Sequence, residues 1–201
     1  MKTTYKTPEP WGHKVTTDAA AEPCLAADVR AFLRMDDTSE DALISSLIKV
    51  ARRQVELAIG RKLINQTVTL ICDDFPAGDW ELPFPPISAV SIAYRDSAGA
   101  TQSVTTHTLR NSSQINLPAI LQEPTAGWPT VDDYPGSVTL TLTCGFGAAA
   151  ANLPEGLIHA VKLLTGHFYE NRDILKLYPF VNKMPMHIDA LLDEYRWRFQ
   201  S

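Results

Sequence analysis

The chain has 201 residues, a formal net charge of −5 and 20% charged residues, which is typical of one globular domain. A protein that grips nucleic acid through its phosphates normally carries a basic excess, so the acidic balance argues against that class. The three cysteines are far apart and form no CxxC pair, which argues against a disulfide framework and a zinc site. Without an apolar signal core or a membrane-length apolar run, the sequence predicts a cytoplasmic protein.

The N-terminal part of the chain predicts an arm followed by two helices. Residues 1–24 are polar and proline-containing, with little periodicity, and are interpreted as an N-terminal arm. Residues 25–35 have the spacing of a short helix. Its predicted inward side chains are Leu25, Val29, Phe32 and Leu33. A long helix then begins at a Ser39 cap and stops at Gly60.

Two apolar residues of the long helix, Val50 and Leu57, lie seven positions apart and away from the centre of its apolar stripe. They either widen the buried face of the helix or contact a neighbouring subunit. The sequence pattern leaves both interpretations open.

Between residues 65 and 147 the hydrophobic period changes from that of a helix to two, which predicts a β-rich insertion. The clearest alternating runs are 68–72, 90–94 and 138–144. A turn at 96–99 predicts a hairpin leading to 101–104, whereas 107–134 is rich in proline and predicts loops with short strands at most.

Helical periodicity returns at Leu153, where Pro154 and Glu155 suit a first helical turn. A last helix is predicted from Met186 to Phe199. The sequence therefore predicts an α+β fold: a small helical bundle of two N-terminal and two C-terminal helices with the β-rich insertion between them. We expect one domain over 25–201, with helices at 25–60, strands at 65–147 and helices at 153–199.

Residues that could support catalysis are few and poorly arranged. His167 and Glu170 share a helix, but a metal site needs further ligands at a suitable spacing. The carboxylates clustered around a turn are Asp73, Asp74, Asp79 and Glu81. They match no calcium loop, and no nucleophile elbow or phosphate-binding glycine loop is present. We expect no catalytic residue, no metal and no cofactor.

Two segments near the C-terminus have the composition of an interface. Tyr195, Arg196, Trp197, Arg198 and Phe199 alternate aromatic rings with arginines. This pattern suits stacking on nucleic acid and anchoring in a protein interface equally well. The apolar run 174–181, which includes Leu175, Leu177, Tyr178 and Phe180, predicts a covered surface such as a subunit contact.

Five segments of the chain, taken in order and spacing, resemble the head–tail connector (neck adaptor) proteins of long-tailed bacteriophages and phage-like particles. The first is the short helix, the break and the long helix, which ends in Gly60-Arg61-Lys62-Leu63. The second is Leu82-Pro83-Phe84-Pro85-Pro86-Ile87, and the third is the turn from Asp96 to Gly99. The fourth runs from Pro135-Gly136-Ser137-Val138 to Gly145-Phe146-Gly147, and the fifth from Leu153-Pro154-Glu155 to Arg172. The apolar run 174–181 departs from the family, in which this loop is usually small and glycine-rich.

The resemblance implies a structural virion protein and no enzyme. Such proteins form a ring, here a dodecamer, below the portal, link the DNA-filled head to the neck and tail, and extend the channel through which DNA passes. The implied partners are the portal protein, a downstream stopper or tail-terminator protein and further copies of the chain, with no membrane. The implied location is the virion neck, after assembly in the bacterial host cytoplasm.

The resemblance also suggests roles for the interface segments. Tyr195, Arg196, Trp197, Arg198 and Phe199 are expected to dock on the portal, because family members use their C-terminal segment there. Val50, Leu57, Leu175, Leu177, Tyr178 and Phe180 are expected at the contact between subunits. Two alternatives stay open: a small cytoplasmic metal-dependent enzyme built on His167, Glu170 and the 73–81 carboxylates, and a protein-binding module.

Overall fold

The computed structural model describes residues 12–110, 119–171 and 186–197, which form four α-helices and two antiparallel sheets. The helices are α1 (Ala26–Leu33), α2 (Asp41–Ile59), α3 (Glu155–Glu170) and α4 (Met186–Leu192), with 3₁₀ turns at Ala150–Asn152 and Asp193–Tyr195. The strands are β1 (Gly12–Thr17), β2 (Gln66–Cys72), β3 (Trp80–Leu82), β4 (Ile87–Arg95), β5 (Thr101–Val104), β6 (Thr108–Arg110), β7 (Ala119–Gln122) and β8 (Val138–Cys144). The predicted α+β class is confirmed.

These elements divide into two compact units. The sheet unit contains 12–18, 65–110 and 119–145, and the helical unit contains 19–64 and 146–171 together with 186–197. No helix among the residues described is both long and apolar enough to cross a membrane.

The sheet unit combines a five-stranded sheet of order β1-β2-β8-β4-β5 with a three-stranded sheet of order β3-β7-β6. Strict alternation buries Val68, Leu70 and Cys72 on one face of β2. Their neighbours across the ladder, Val138 and Leu140 among them, are buried on the same face of β8. The predicted strands at 68–72 and 138–144 therefore form the centre of the sheet, where each is paired on both sides.

Strand β1 is absent from the sequence prediction, which places residues 12–17 in an N-terminal arm. It pairs antiparallel with β2, and all six of its residues are exposed. Because an edge strand exposed on both faces needs no hydrophobic alternation, its sequence carries no period-two signal.

The helical unit is built around α2, whose Ile44, Ile48 and Val55 are completely or almost completely buried. Helices α1 and α2 both contact α3, and α4 contacts α2 and α3. Gly60 ends α2 in the left-handed region, with φ of 68°, as its position in the sequence predicts.

Three details of the predicted helices are wrong. Leu25 and Phe32, predicted inward, are 70% and 40% exposed, and Val29 alone of α1 is buried. Ser39 does not cap α2: its hydroxyl and N–H both donate to the Asp37 carboxylate, and Glu40 occupies the cap position. Helix α4 ends at Leu192 instead of continuing to Phe199, because the chain tightens into a 3₁₀ turn and then becomes extended at Arg196.

Candidate interaction surfaces

Helix α2 is apolar on two sides. Its core-facing side is buried in the helical unit, whereas Val50 and Leu57 lie on the other side and are 48% and 79% exposed. Leu43, seven residues before Val50, is also exposed. The sequence left open whether Val50 and Leu57 widen the buried face of α2 or contact a neighbouring subunit. Within the described chain they do not widen the buried face, because both are exposed.

A buried charged residue holds the core side of α2. Arg52 is 1% exposed, and its Nε donates to the Glu22 carboxylate at 2.9 Å. Its Nη1 donates to Oε1 of Glu56, one helical turn later, at 3.3 Å. Burying a guanidinium is costly unless it is paired in this way, so this cluster fixes α2 to the segment that precedes α1.

Glu56 extends the same cluster to the exit of α2. Its Oε1 accepts the backbone N–H of Leu63 at 3.1 Å, and Nζ of Lys62 lies 3.6 Å from its Oε2. Because the buried Glu56 carboxylate joins α2 to Lys62 and Leu63, it fixes the direction in which the chain leaves the helix.

The C-terminal segment binds to this same exit. The Trp197 backbone N–H donates to the Ile59 carbonyl at 2.6 Å. The buried Arg61 guanidinium lies over the Trp197 ring, 5.5 Å from its centroid. Burial lowers the pKa of Arg61 to about 10, and the electron-rich ring face partly compensates for the lost hydration.

Arg196 makes polar contacts within its own chain. Its Nε donates to the Ala58 carbonyl at 3.1 Å, and its two terminal nitrogens pair with Asp189 and Asp193 at 2.6 and 3.3 Å. The arginine therefore ties α4 and the following 3₁₀ turn to the last turn of α2.

Of the five residues predicted to dock on the portal, the structure describes Tyr195, Arg196 and Trp197. Tyr195 is 9% exposed, and its hydroxyl lies so close to Gly156 that a Cβ there would be 2.8 Å away. The Tyr195 ring is thus part of the packing of the helical unit, and burial raises the pKa of its hydroxyl. Arg198 and Phe199 lie outside the described residues, as do Leu175, Leu177, Tyr178 and Phe180.

The candidate metal and acid–base residues have structural contacts. His167 Nδ1 lies 3.3 Å from the Asn171 amide. Asp73 accepts the Gly136 N–H at 2.7 Å, and Asp79 accepts the Glu123 N–H at 2.9 Å, so both carboxylates hold loops. Across the described ranges, His, Cys, Asp and Glu side chains form no group of three that could hold a metal ion.

Sequence reasoning missed the buried charges Arg52, Glu56 and Arg61. A signal for two of them exists: Arg52 follows Ile48 by four positions, and Glu56 follows Arg52 by four, so both continue the apolar stripe of α2. A charged pair at helical spacing inside an apolar stripe predicts a buried ion pair.

Residues 27–122, just under half of the chain, match the family model of the phage gp6-like head-tail connector proteins. No curated protein matches the sequence.

Solved structures match the fold over nearly the whole chain. A chain of the neck of an empty gene transfer agent particle, computed with C6 symmetry, is 24% identical with a TM-score of 0.76, and the match covers 93% of this chain and 96% of that one. A chain of the native gene transfer agent virion is 25% identical, with a TM-score of 0.73 and coverages of 92% and 95%.

A third match is a chain of the native gene transfer agent neck computed with C12 symmetry, at 24% identity, a TM-score of 0.73 and coverages of 93% and 96%. The family resemblance seen in the sequence is therefore confirmed: this chain carries the phage gp6-like head-tail connector pattern over residues 27–122 and the fold of gene transfer agent neck chains over more than nine-tenths of its length.

Proposed function

We propose that this protein is a structural neck adaptor of a phage-like particle, where it forms a ring below the portal and links the DNA-filled head to the tail. The observation that carries the proposal is the fold match to gene transfer agent neck chains, which extends over 93% of the chain. The connector family model, which matches the N-terminal helices and much of the sheet unit, supports the same role independently.

The negative net charge of the chain suits a protein that lines a channel through which DNA moves. Each copy carries a formal charge of −5, so a ring of about twelve copies would carry about −60. Such a ring repels phosphate instead of binding it. DNA is therefore a passing cargo in this proposal, and the role requires neither catalysis nor a cofactor.

The arrangement that we propose is a single connector domain over 25–201, in which two N-terminal and two C-terminal helices form a bundle and residues 65–147 are a β-rich insertion. Strand β1 of the N-terminal arm adds an edge strand to that insertion. The portal lies on one side of the ring and a stopper or tail-terminator protein on the other. Assembly takes place in the host cytoplasm before the virion neck is complete.

We propose that the C-terminal residues bind the portal. Trp197 and Arg196 hydrogen-bond to the last turn of α2, and these contacts fix the position of the end of the described chain. Arg198 and Phe199 follow directly. Because Tyr195 is buried in its own chain, the binding energy is expected to come mainly from Trp197 onward.

Two truncations separate portal binding from folding. Deleting 198–201 removes Arg198 and Phe199 but retains the Trp197 contacts, so we expect loss of portal binding with an unchanged melting temperature. Deleting 194–201 also removes the buried Tyr195 ring and should lower the melting temperature. Portal binding of undiminished affinity after the shorter deletion would contradict this assignment.

The neck role itself is tested by deleting the gene from a particle-producing strain. DNA-filled heads without attached tails, rescued by the gene supplied in trans, are the expected product. Normal tailed particles from the deletion strain would contradict the proposal. A matched control is complementation with the 198–201 deletion variant, which should fold but fail to rescue.

A further inference from the structure

The outer side of α2 has the spacing of a helix-packing seam. Its positions advance by four and three in turn: Leu43, Leu47, Val50, Gln54 and Leu57. Leu47 is half-buried and the other four are exposed. We call these five residues the α2 outer stripe. A helix with one partner normally has a polar outer side, so three large exposed apolar residues in one line indicate a second partner.

The charges beside the stripe restrict what that partner can be. Lys49 and Arg53 are exposed and flank it, and no acidic residue occurs between positions 42 and 55. If the α2 outer stripes of two copies faced each other, these positive charges would be brought together in an apolar contact, which is unfavourable. The partner surface is therefore a different one, apolar and acidic.

The outer face of α1 has that character. It presents two large apolar side chains, Leu25 and Phe32, two small ones, Ala27 and Ala31, and the carboxylate of Asp28, all of them exposed. We call these five residues the α1 outer face. The Phe32 ring also meets His159 of α3 edge-on, and the exposed Arg34 caps the C-terminal end of α1, about one and a half turns away from Asp28. Small residues allow a neighbouring helix to approach closely, so that large side chains such as Leu57 can pack between larger neighbours.

We propose that the α2 outer stripe of one copy packs against the α1 outer face of the next copy, and that this contact closes the ring. The inference rests on the proposed neck function, which supplies neighbouring copies. Two different surfaces on one chain make a head-to-tail contact, and such contacts give rings when the rotation closes. The C6 and C12 symmetry of the similar gene transfer agent necks fits a contact of this kind.

Engineered cysteines test the pairing of the two surfaces. One variant carries Leu57→Cys, a second carries Ala31→Cys and a third carries both. The three native cysteines are buried, so wild type is the background control. A bismaleimide is added to each protein at high concentration, alone and with its portal protein, and the products are separated under denaturing conditions.

A head-to-tail contact predicts a ladder of multimers from the double variant and no product larger than a dimer from either single variant. Strong dimer formation by Leu57→Cys alone would show that two stripes face each other and would overturn the pairing. A double variant that binds the portal but yields only monomer would also overturn it while leaving the neck function intact. Failure of every variant and of wild type to bind the portal would instead contradict the neck function.

A serine substitution distinguishes a neighbouring copy from a segment of the same chain. Leu57→Ser should leave the melting temperature unchanged and weaken assembly by roughly tenfold or more per contact. The matched control is Ile71→Ser, an exposed apolar residue of the sheet unit, which should assemble normally. A large fall in the melting temperature of Leu57→Ser would mean that the chain covers its own stripe, and this would overturn the inference.

Discussion

The Arg61 guanidinium lies 5.5 Å from the centroid of the Trp197 ring, although 136 positions separate the two residues in the sequence. This contact joins the exit of α2 to the C-terminal segment. A buried arginine depends on its few neighbours for stabilisation, so the ring matters to folding as well as to any interface that the C-terminus makes.

We predict that Trp197→Ala lowers the free energy of unfolding by about 2 kcal/mol, because it removes apolar packing and the ring beneath a buried cation. Trp197→Phe keeps an aromatic face and should lose less. Urea denaturation of both variants and wild type measures the difference. An unchanged stability for Trp197→Ala would show that the segment is held only weakly.

The ion pair between Arg52 and Glu56 gives a second prediction. Glu56→Gln removes the charge that faces both Arg52 and Lys62, whereas Glu22 still pairs with Arg52. The expected destabilisation is about 2 kcal/mol, because the buried guanidinium loses one of its two counter-charges. Arg52→Met combined with Glu56→Gln should cost less than the sum of the two single changes, because each single change already removes the interaction between the two side chains. A double-mutant cycle with strictly additive losses would contradict the coupling.

Asp96 predicts an acid-sensitive hairpin between β4 and β5. Its carboxylate accepts from the Gln102 side chain and from the backbone N–H groups of Ala100 and Ala98 at 2.9–3.0 Å, and these bonds lower its pKa below the usual 3.8. A carboxylate with a lowered pKa stabilises the fold above its unfolded pKa, and the contribution is lost as the pH falls through the folded value.

Amide exchange at Ala98 and Ala100 should therefore accelerate as the pH falls below 3.8, beyond the intrinsic change in exchange chemistry. In Asp96→Asn this extra acceleration should disappear, since the amide does not titrate. Identical pH profiles for wild type and variant would show that the Asp96 carboxylate does not hold the turn.

The cysteines are predicted to be unreactive in the folded protein. All three are buried, and burial raises the pKa of Cys24 and Cys72 to about 11. Since the thiolate is the reactive form, a thiol reagent at pH 8 should modify none of them at an appreciable rate until denaturant is added. Rapid modification of any one thiol in native protein would show local opening.

The parts of the fold that the sequence predicted well are those with strict periodicity. Strands β2 and β8 alternate without a break, and α2 combines a long stripe with a glycine stop at Gly60. Edge strand β1 and helix α1 were harder to predict, because neither has a well-defined buried face. Every residue of β1 is exposed to some extent, and α1 buries Val29 alone.

The candidate surfaces were only partly predictable. Val50 and Leu57 stood out because they leave the main stripe of α2, and the structure places both on its exposed side. The contact of Trp197 with Ile59 and Arg61 could not be predicted, since pairing across such a sequence separation depends on the whole packed unit. For the same reason, the sequence did not predict that Tyr195, which was expected at the portal, is buried in its own chain.

Electron cryomicroscopy of the purified protein bound to its cognate portal would test the neck role most directly. We expect a closed ring of copies coaxial with the portal, with α1 of each copy against α2 of the next. Single copies scattered on the portal, an open filament or no association would contradict the proposal that this chain is the ring-forming adaptor of a neck.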